Sequence, residues 1–310
     1  FFQLREDYRF DEVDADSKIY AVIGDPIEHS LSPPVHNAAF RQVGLNHVYV
    51  PLRIPQGTLK ESLSTLAWLD IQGYSVTIPH KEAIVPLLNK ADGAVELTGS
   101  CNTVVVREDK LIGHNTDYRA AIGSVEAALG GPGIGDISPL MDKQALILGA
   151  GGAARSIAYG LVRRGAGVTI CNRHDEKAVK LAEEVGCRST PWGMRAASLC
   201  DLIINCTPVG MHPEVNESPV PAAAFHPGMI AFDTVYHPEH TLFLKMAQDR
   251  GCVTITGVDM FVRQAALQFY HFTGKEPPMD LMREVVRRKL NPSRMEAPEA
   301  EDEAPAGAAG

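Results

Sequence analysis

Lys81 and Asp117 are two side chains of this 310-residue chain whose types could move a proton together. Lys81 stands in "GYSVTIPHKEA", close behind Ser75 and Thr77, and Asp117 stands in "IGHNTDYRA", behind Asn115 and Thr116. A third stretch, "GSCNTVVV", adds Asn102 and Thr103. A lysine and an aspartate in one cleft can share acid–base work, the carboxylate orienting the ammonium and steadying its charge. Taken alone, Lys81 reads equally well as a surface lysine, because lysines are almost never fully buried unless paired. Ser30 and Ser32, in "GDPIEHSLSPPVHNAAF", offer a different chemistry. Val35, Ala39, Phe40 and Val43 recur at helical spacing, and Gly44 is a stop. Ser32 then falls at the N-cap with Pro33 in the first helical position. A cap does not account for Ser30. Two hydroxyls beside free helix N–H groups make a site for an anion, and a carboxylate would fit.

The stretch with the most specific spacing is "ALILGAGGAARSIAYGLVRRGAGVTICNRHDEKA". A strand runs into Gly149, Ala150, Gly151, Gly152, Ala153 and Ala154, then a helix, then a second strand. This is the dinucleotide fingerprint: Gly149 for the tight turn, Gly151 for approach of the pyrophosphate, Ala154 for close packing of helix on strand. A site for NAD usually has an acid at the end of the second strand. Here Asn172, Arg173 and His174 stand there, with Lys177 following. Arg173 and Lys177 can neutralise a 2′-phosphate, so the reading is NADP. As solvated charges they would oppose the dipole of the following helix. Asp175 adds a negative charge nearby.

These residues need an α/β frame. From 19 to about 117, "IYAVI", "HVYVPL", "YSVTI" and "NTVVV" alternate with helical patterns. "GGPGIGDISP" at 130–139 reads as a hinge or loop. The alternation resumes with "ALILG", "GVTIC", "DLIINC", "GMIAFD" and "VTITG", and a helical stretch closes the fold at about 258–290. The expected organisation is therefore a linker over 1–18, an α/β substrate-binding domain over 19–118 completed by the helices of 258–290, and a Rossmann-type domain over 119–257. The acidic, low-complexity segment 291–310 is expected to be disordered.

Composition limits the partners. The net charge is −9, and one arginine against five acids in 291–310 accounts for much of it. That excess argues against nucleic acid. With 45% hydrophobic residues the chain can fill real cores, yet no run approaches a membrane span of ~20 apolar residues. The six cysteines form no CxxC pair and read as reduced residues of a cytoplasmic protein. His237 and His240 lack the context of a metal site, so no metal is expected.

With these residues in view, the chain resembles the shikimate dehydrogenases over residues 19–290. The motifs that carry the resemblance are "GDPIEHSLSP", "SVTIPHK", "CNTV", "HNTD", "GAGGAAR", "NR", "NCTPVGM" and "GVDMFVRQAALQF". It is nearest to the dehydrogenase half of the bifunctional dehydroquinate dehydratase–shikimate dehydrogenases, and "YRFDEVDADSKIYAVIGDPIEHS" resembles the junction after a dehydratase domain. The resemblance therefore implies fusion to an upstream dehydratase.

It further implies an NADP-dependent oxidoreductase that interconverts 3-dehydroshikimate and shikimate on the way to chorismate and the aromatic amino acids. Lys81 would be the catalytic lysine and Asp117 its partner. Ser30 and Ser32 would hold the substrate carboxylate. Thr77, Asn102, Asp117 and Gln264 would bind the ring hydroxyls and carboxylate, and Tyr236 would touch substrate. Gly149, Ala150, Gly151, Gly152, Ala153, Asn172, Arg173, His174 and Lys177 would form the cofactor loops, with Thr234 and Gly257 near the nicotinamide. Ser75 stands where many bacterial members have Asn, His174 replaces a common Thr and Lys177 a common Arg. Gln264 also reads as an exposed glutamine on the flank of the stripe of Val258, Phe261, Ala265, Phe269 and Phe272. Two alternatives stay open: a quinate/shikimate dehydrogenase using NAD, and an inactive regulatory homologue, which need not keep Lys81 and Asp117. A monomer and a homodimer are equally compatible with the sequence.

Overall fold

The structure, a computed structural model, describes residues 10–28, 30–131, 138–197 and 199–291. In chain order the elements are β1 (Lys18–Gly24), α1 (Ser32–Gln42), β2 (His47–Arg53), α2 (Leu59–Trp68), β3 (Ile71–Val76), β4 (Lys90–Ala91), α3 (Gly93–Thr98), β5 (Thr103–Arg107), β6 (Lys110–His114) and α4 (Thr116–Ala128). There follow β7 (Gln144–Leu148), α5 (Gly152–Arg163), β8 (Gly167–Cys171), α6 (Asp175–Val185), β9 (Arg188–Ser189), β10 (Leu202–Asn205), β11 (Ile230–Asp233), α7 (Leu242–Asp249), β12 (Val253–Ile255), α8 (Gly257–Thr273) and α9 (Met279–Leu290).

The strands form two sheets. The first has the order β2-β1-β3-β5-β6-β4. Its β1 pairs parallel with β2 and β3, whereas β5 runs antiparallel to β3 and β6. The side chains of β1 alternate between faces, as a strand requires. Tyr20 and Val22 pack with Phe40 of α1, Phe269 of α8 and Met282 of α9. Ala21 and Ile23 pack with Leu59 and Leu66 of α2 and Val95 of α3. Burying each large side chain of this kind contributes roughly 1.5–3 kcal/mol.

The second sheet has the order β12-β11-β10-β7-β8-β9, and every pair in it is parallel. Numbered within this half of the chain, that is 3-2-1-4-5-6 read from β9, the doubly wound order whose ligand crevice opens between the first and fourth strands. Those two are β7 and β10. "LIIN" and "IAFD" are apolar up to their last residues, Asn205 and Asp233, because both faces of these strands are covered. The α/β class with a Rossmann-type second half is thus the observed architecture.

Two helices tie the halves together. Asn115 caps α4 by accepting from Tyr118 N at 3.0 Å, which sets Asp117 in its first turn. Farther along, Ala121, Ile122 and Val125 of α4 join the core of the second sheet. Thr256 starts α8 with a capping box, its Oγ1 accepting from Asp259 N at 3.1 Å. The helix ends at Gly274 in the left-handed region, φ 68°, and α9 follows Pro277 and Pro278. The expected stretch of 258–290 is therefore two helices. Residues 1–9 of the expected linker and 292–310 of the expected tail lie outside the described residues.

Candidate active site

A cavity of about 510 Å³ opens between the two halves. It is lined by Ser30, Ser32, Thr77, Lys81, Asn102 and Asp117 from the first half. From the second half and α8 come Gly152, Ala153, Thr234, Tyr236, Gly257 and Gln264. At its centre Lys81 Nζ donates to Asp117 Oδ2 at 2.7 Å. The pair is half-buried, and two local frames hold it. Lys81 follows β3, where its carbonyl accepts from Cys101 N at 2.8 Å. Asp117 follows Thr116, whose N–H donates to Asn102 Oδ1 at 2.8 Å. Asn102 Nδ2 in turn donates to Thr116 Oγ1 at 2.9 Å. Asn102 thus fixes the start of α4 as well as lining the cavity.

The serines differ in one respect from the sequence reading. Ser32 is the first residue of α1, and the N-cap is Leu31 with no side-chain bond to the helix. Pro33 and Pro34 supply no N–H, so much of what a capping hydroxyl would satisfy is missing. Instead Ser30 Oγ accepts from Ser32 N at 3.3 Å. Both hydroxyls belong to residues lining the cavity.

Gln264 is buried, which corrects its reading as an exposed glutamine: α8 lies against the first sheet, so its polar flank is covered too. Gln268, four residues on, was not foreseen. It lines the cavity, and its Oε1 accepts from Ser75 Oγ at 2.8 Å, while Ser75 Oγ accepts from Tyr49 Oη at 2.5 Å. His36 Nε2 lies 3.4 Å from the same Gln268 oxygen, and burial drives the pKa of His36 down to about 4, so the ring is neutral. The available signal was the i, i+4 spacing of two glutamines on one helix face.

The cofactor residues lie along the C-terminal edge of the second sheet. Gly149 has φ 113°, and a Cβ there would meet Cys206 O at 2.8 Å, so only glycine fits where the β7 and β10 loops touch. Gly151 precedes α5 with no side chain to cap it, and Cβ positions at Gly151 and Gly152 face open space. The first N–H groups of α5 have no acceptor within the helix, which is the cradle a pyrophosphate needs. At the end of β8, Arg173, His174 and Lys177 are exposed, and Asn172 Nδ2 donates to the carbonyl of His174 at 3.0 Å. Asp175 Oδ1 accepts from Trp192 N at 3.1 Å, so that carboxylate is engaged. These residues fit a dinucleotide with a phosphate on its adenosine ribose. Gly149, Ala150, Gly151, Asn172, Arg173, His174 and Lys177 do not line the central cavity; they extend the site beyond it.

All six cysteines are free, and burial pushes Cys101 and Cys171 up to about 12, which leaves their thiols protonated. Among the described residues no cluster of three or more His, Cys, Asp and Glu could hold a metal, and no helix is long and apolar enough to cross a membrane.

Residues 22–104 match the model of the shikimate dehydrogenase substrate binding domain, and 257–287 match that of the shikimate 5′-dehydrogenase C-terminal domain. Residues 144–226 match the model described as NADP oxidoreductase, coenzyme F420-dependent. The shikimate dehydrogenase (NADP(+)) of Moorella thermoacetica is 39% identical over 293 residues, 91% of this chain and 97% of the relative. The chain belongs to the shikimate dehydrogenase family. Its similarity extends to the chloroplastic bifunctional 3-dehydroquinate dehydratase/shikimate dehydrogenase of Arabidopsis thaliana, 38% identical over 91% of this chain and 48% of that protein. A crystal structure of the Thermus thermophilus shikimate dehydrogenase, in complex with NADP(H) and shikimate, superposes with a TM-score of 0.78 at 35% identity, covering 88% of this chain and 100% of that one.

Proposed function

We propose that the chain catalyses reversible hydride transfer between NADPH and 3-dehydroshikimate, giving shikimate. The observation that carries this reading is a single cavity running from the Lys81–Asp117 pair to the N-terminus of α5. Such a cavity can hold both reactants at once, and orientation then supplies much of the rate.

In this reading Ser30 and Ser32 hold the carboxylate, and Thr77, Asn102, Gln264 and Tyr236 hold the ring. Lys81 donates a hydrogen bond to the oxygen of the reacting carbon. It gives up a proton as the ketone becomes an alcohol and takes one back in the reverse direction. Asp117 orients Nζ and balances its charge. Gly149, Ala150, Gly151, Gly152 and Ala153 receive the pyrophosphate, Asn172, Arg173, His174 and Lys177 the phosphorylated ribose, and Thr234 and Gly257 border the nicotinamide. The bound dinucleotide supplies the hydride chemistry.

The domain bounds follow from the same reading: 19–118 with 258–290 for substrate and 119–257 for the cofactor, supported by the two sheets and by α8 and α9 packing on the first. An upstream dehydratase domain, a cytoplasmic location and a monomeric or homodimeric state complete the proposal. The Arabidopsis relative supports the first and the free cysteines the second. Sequencing the full transcript and sizing the purified protein test the first and the third. The deciding assay is oxidation of shikimate and of quinate with NADP and with NAD, side by side. Fast turnover with shikimate and NADP alone is expected; turnover only with quinate and NAD would overturn the reading.

A further inference from the structure

Asp233 closes β11 and is completely buried, yet it belongs to neither the acid–base pair nor the cavity wall. A buried carboxylate needs hydrogen bonds, and here three neutral donors supply them. Asp233 Oδ1 accepts from Asn205 Nδ2 at 3.0 Å and from Val235 N at 2.9 Å, and Oδ2 accepts from Thr241 Oγ1 at 2.6 Å. Burial pushes the carboxyl up to about 7 against the pull of those donors.

Asn205 closes β10, directly opposite Asp233 in the parallel register, and is equally buried. Its Oδ1 accepts from Thr207 N and Oγ1, at 3.0 and 2.6 Å. Its backbone carbonyl accepts from both N and Oγ1 of Thr234, each at 2.9 Å. The two side chains therefore end on both loops that leave this edge of the sheet. One of those loops carries Thr234 and Tyr236, which do line the cavity. Gly257 closes on the same turn from the other side, since a Cβ there would collide with the carbonyl oxygen of Val235 and the backbone nitrogen of Tyr236.

We propose that Asp233 and Asn205 are positioning residues that fix the Thr234–Tyr236 turn, the wall shared by cofactor and substrate. The inference rests on the proposed reading of that cleft. Its chemical content is hydrogen-bond geometry, not charge. An asparagine at 233 can keep both acceptor contacts through Oδ1 and donate from Nδ2 to Thr241 Oγ1. A leucine takes the side-chain acceptor from Val235 N and leaves Asn205 Nδ2 with the carbonyl of Val209 alone.

The test compares Asp233→Asn, Asp233→Leu and Thr234→Ala, with KM for NADP and for shikimate, kcat, and the isotope effect on kcat with shikimate deuterated at the reacting carbon. Asp233→Leu should lower kcat/KM at least tenfold for both reactants and raise the isotope effect, because loosened reactants slow the chemical step. Asp233→Asn should stay within about threefold of wild type. Combining Asp233→Leu with Thr234→Ala should cost less than the two effects multiplied, since both act on one turn. If Asp233→Leu does not fold, Thr241→Val removes the Oδ2 contact together with the cap on Leu244 N and spares both Oδ1 contacts, and a threefold shift in the same direction is expected. Three results would each overturn the inference: unchanged kinetics in Asp233→Leu or Thr241→Val, Asp233→Asn as impaired as Asp233→Leu, or a lowered thermal midpoint with wild-type isotope effect and KM values. A null result in Thr234→Ala and Tyr236→Phe would instead fault the reading of the cleft itself.

Discussion

Lys81 Nζ and Asp117 Oδ2 are 2.7 Å apart although 36 residues separate them in the chain. One follows the third strand of the first sheet and the other sits in the first turn of the helix that bridges to the second. The pair is therefore built where the two halves meet. A wholly exposed pair of this kind would contribute about 0–1 kcal/mol to stability, so its placement in the cavity speaks for chemistry. Lys81→Ala should lower kcat by about 10² to 10⁴, the range for general acid–base catalysis, with shikimate KM little changed. Steady-state kinetics check this, and wild-type turnover would remove Lys81 from the mechanism.

The serines give a sharper prediction than the sequence alone allowed. The N-cap Leu31 makes no side-chain bond to α1, and among the described residues the one bond from either serine hydroxyl to the helix start is the long one that Ser30 Oγ accepts from Ser32 N at 3.3 Å. Changing both to Ala should barely move the thermal midpoint. Each hydrogen bond to a charged carboxylate is worth roughly 1.5–3 kcal/mol, so shikimate KM should rise strongly while NADP KM holds. A fall in midpoint with unchanged KM would mean that the serines serve the helix alone.

The second sheet was legible because its strands are short apolar runs separated by Gly-rich turns, and parallel strands covered on both faces have no other pattern. The antiparallel half of the first sheet was not. β5 and β6 are joined by Glu108 and Asp109, with φ 50° and 58°. A two-residue hairpin turn normally announces itself with Asn-Gly or Asp-Gly, and here two acidic residues adopt the left-handed conformation instead. Gln268 was missed because a polar residue on a helix flank is usually exposed, and only packing against the sheet buries it. Asp233 and Asn205 are joined across a strand pair 28 residues apart, so their contact depends on a register that local patterns do not encode.

Stability should depend on pH through His271. Its ring stacks on His114 at 3.9 Å, and His114 Nδ1 lies 3.2 Å from Asp92 Oδ2. Burial first, then the charges of His114 and Arg119, lower the pKa of His271 from 6.5 to about 4. The folded state thus favours the neutral ring. That contribution is fully present above about 6.5 and is lost as pH falls toward 4. Asp233 works in the opposite sense: its raised pKa contributes below about 3.8 and is lost as pH rises to about 7. The comparison must therefore be between variant and wild type at each pH. His271→Gln should lose less thermal midpoint than wild type between pH 7 and pH 5. Equal losses would mean that the fold does not hold the His271 ring below its ordinary pKa.

Cofactor choice turns on how Asp175 is engaged. Its Oδ1 accepts from Trp192 N at 3.1 Å, while among the described residues neither Arg173 nor Lys177 has an ion-pair partner. The exposed end of β8 therefore offers two uncommitted cations and an acid already occupied by the backbone. Replacing Arg173 with Ala should weaken NADP binding by about 1.5–3 kcal/mol, as for a charge-assisted hydrogen bond. That is roughly ten- to hundredfold in Kd. NAD binding should be nearly unchanged, because NAD carries no phosphate on that ribose. Asp175→Ala should leave the NADP preference in place, since its carboxylate is directed at Trp192. Titrating both cofactors against the wild type and the two variants decides the matter. Equal losses for NADP and NAD in the Arg173 variant would mean that the guanidinium supports the loop or stacks on adenine, and that the 2′-phosphate is held elsewhere.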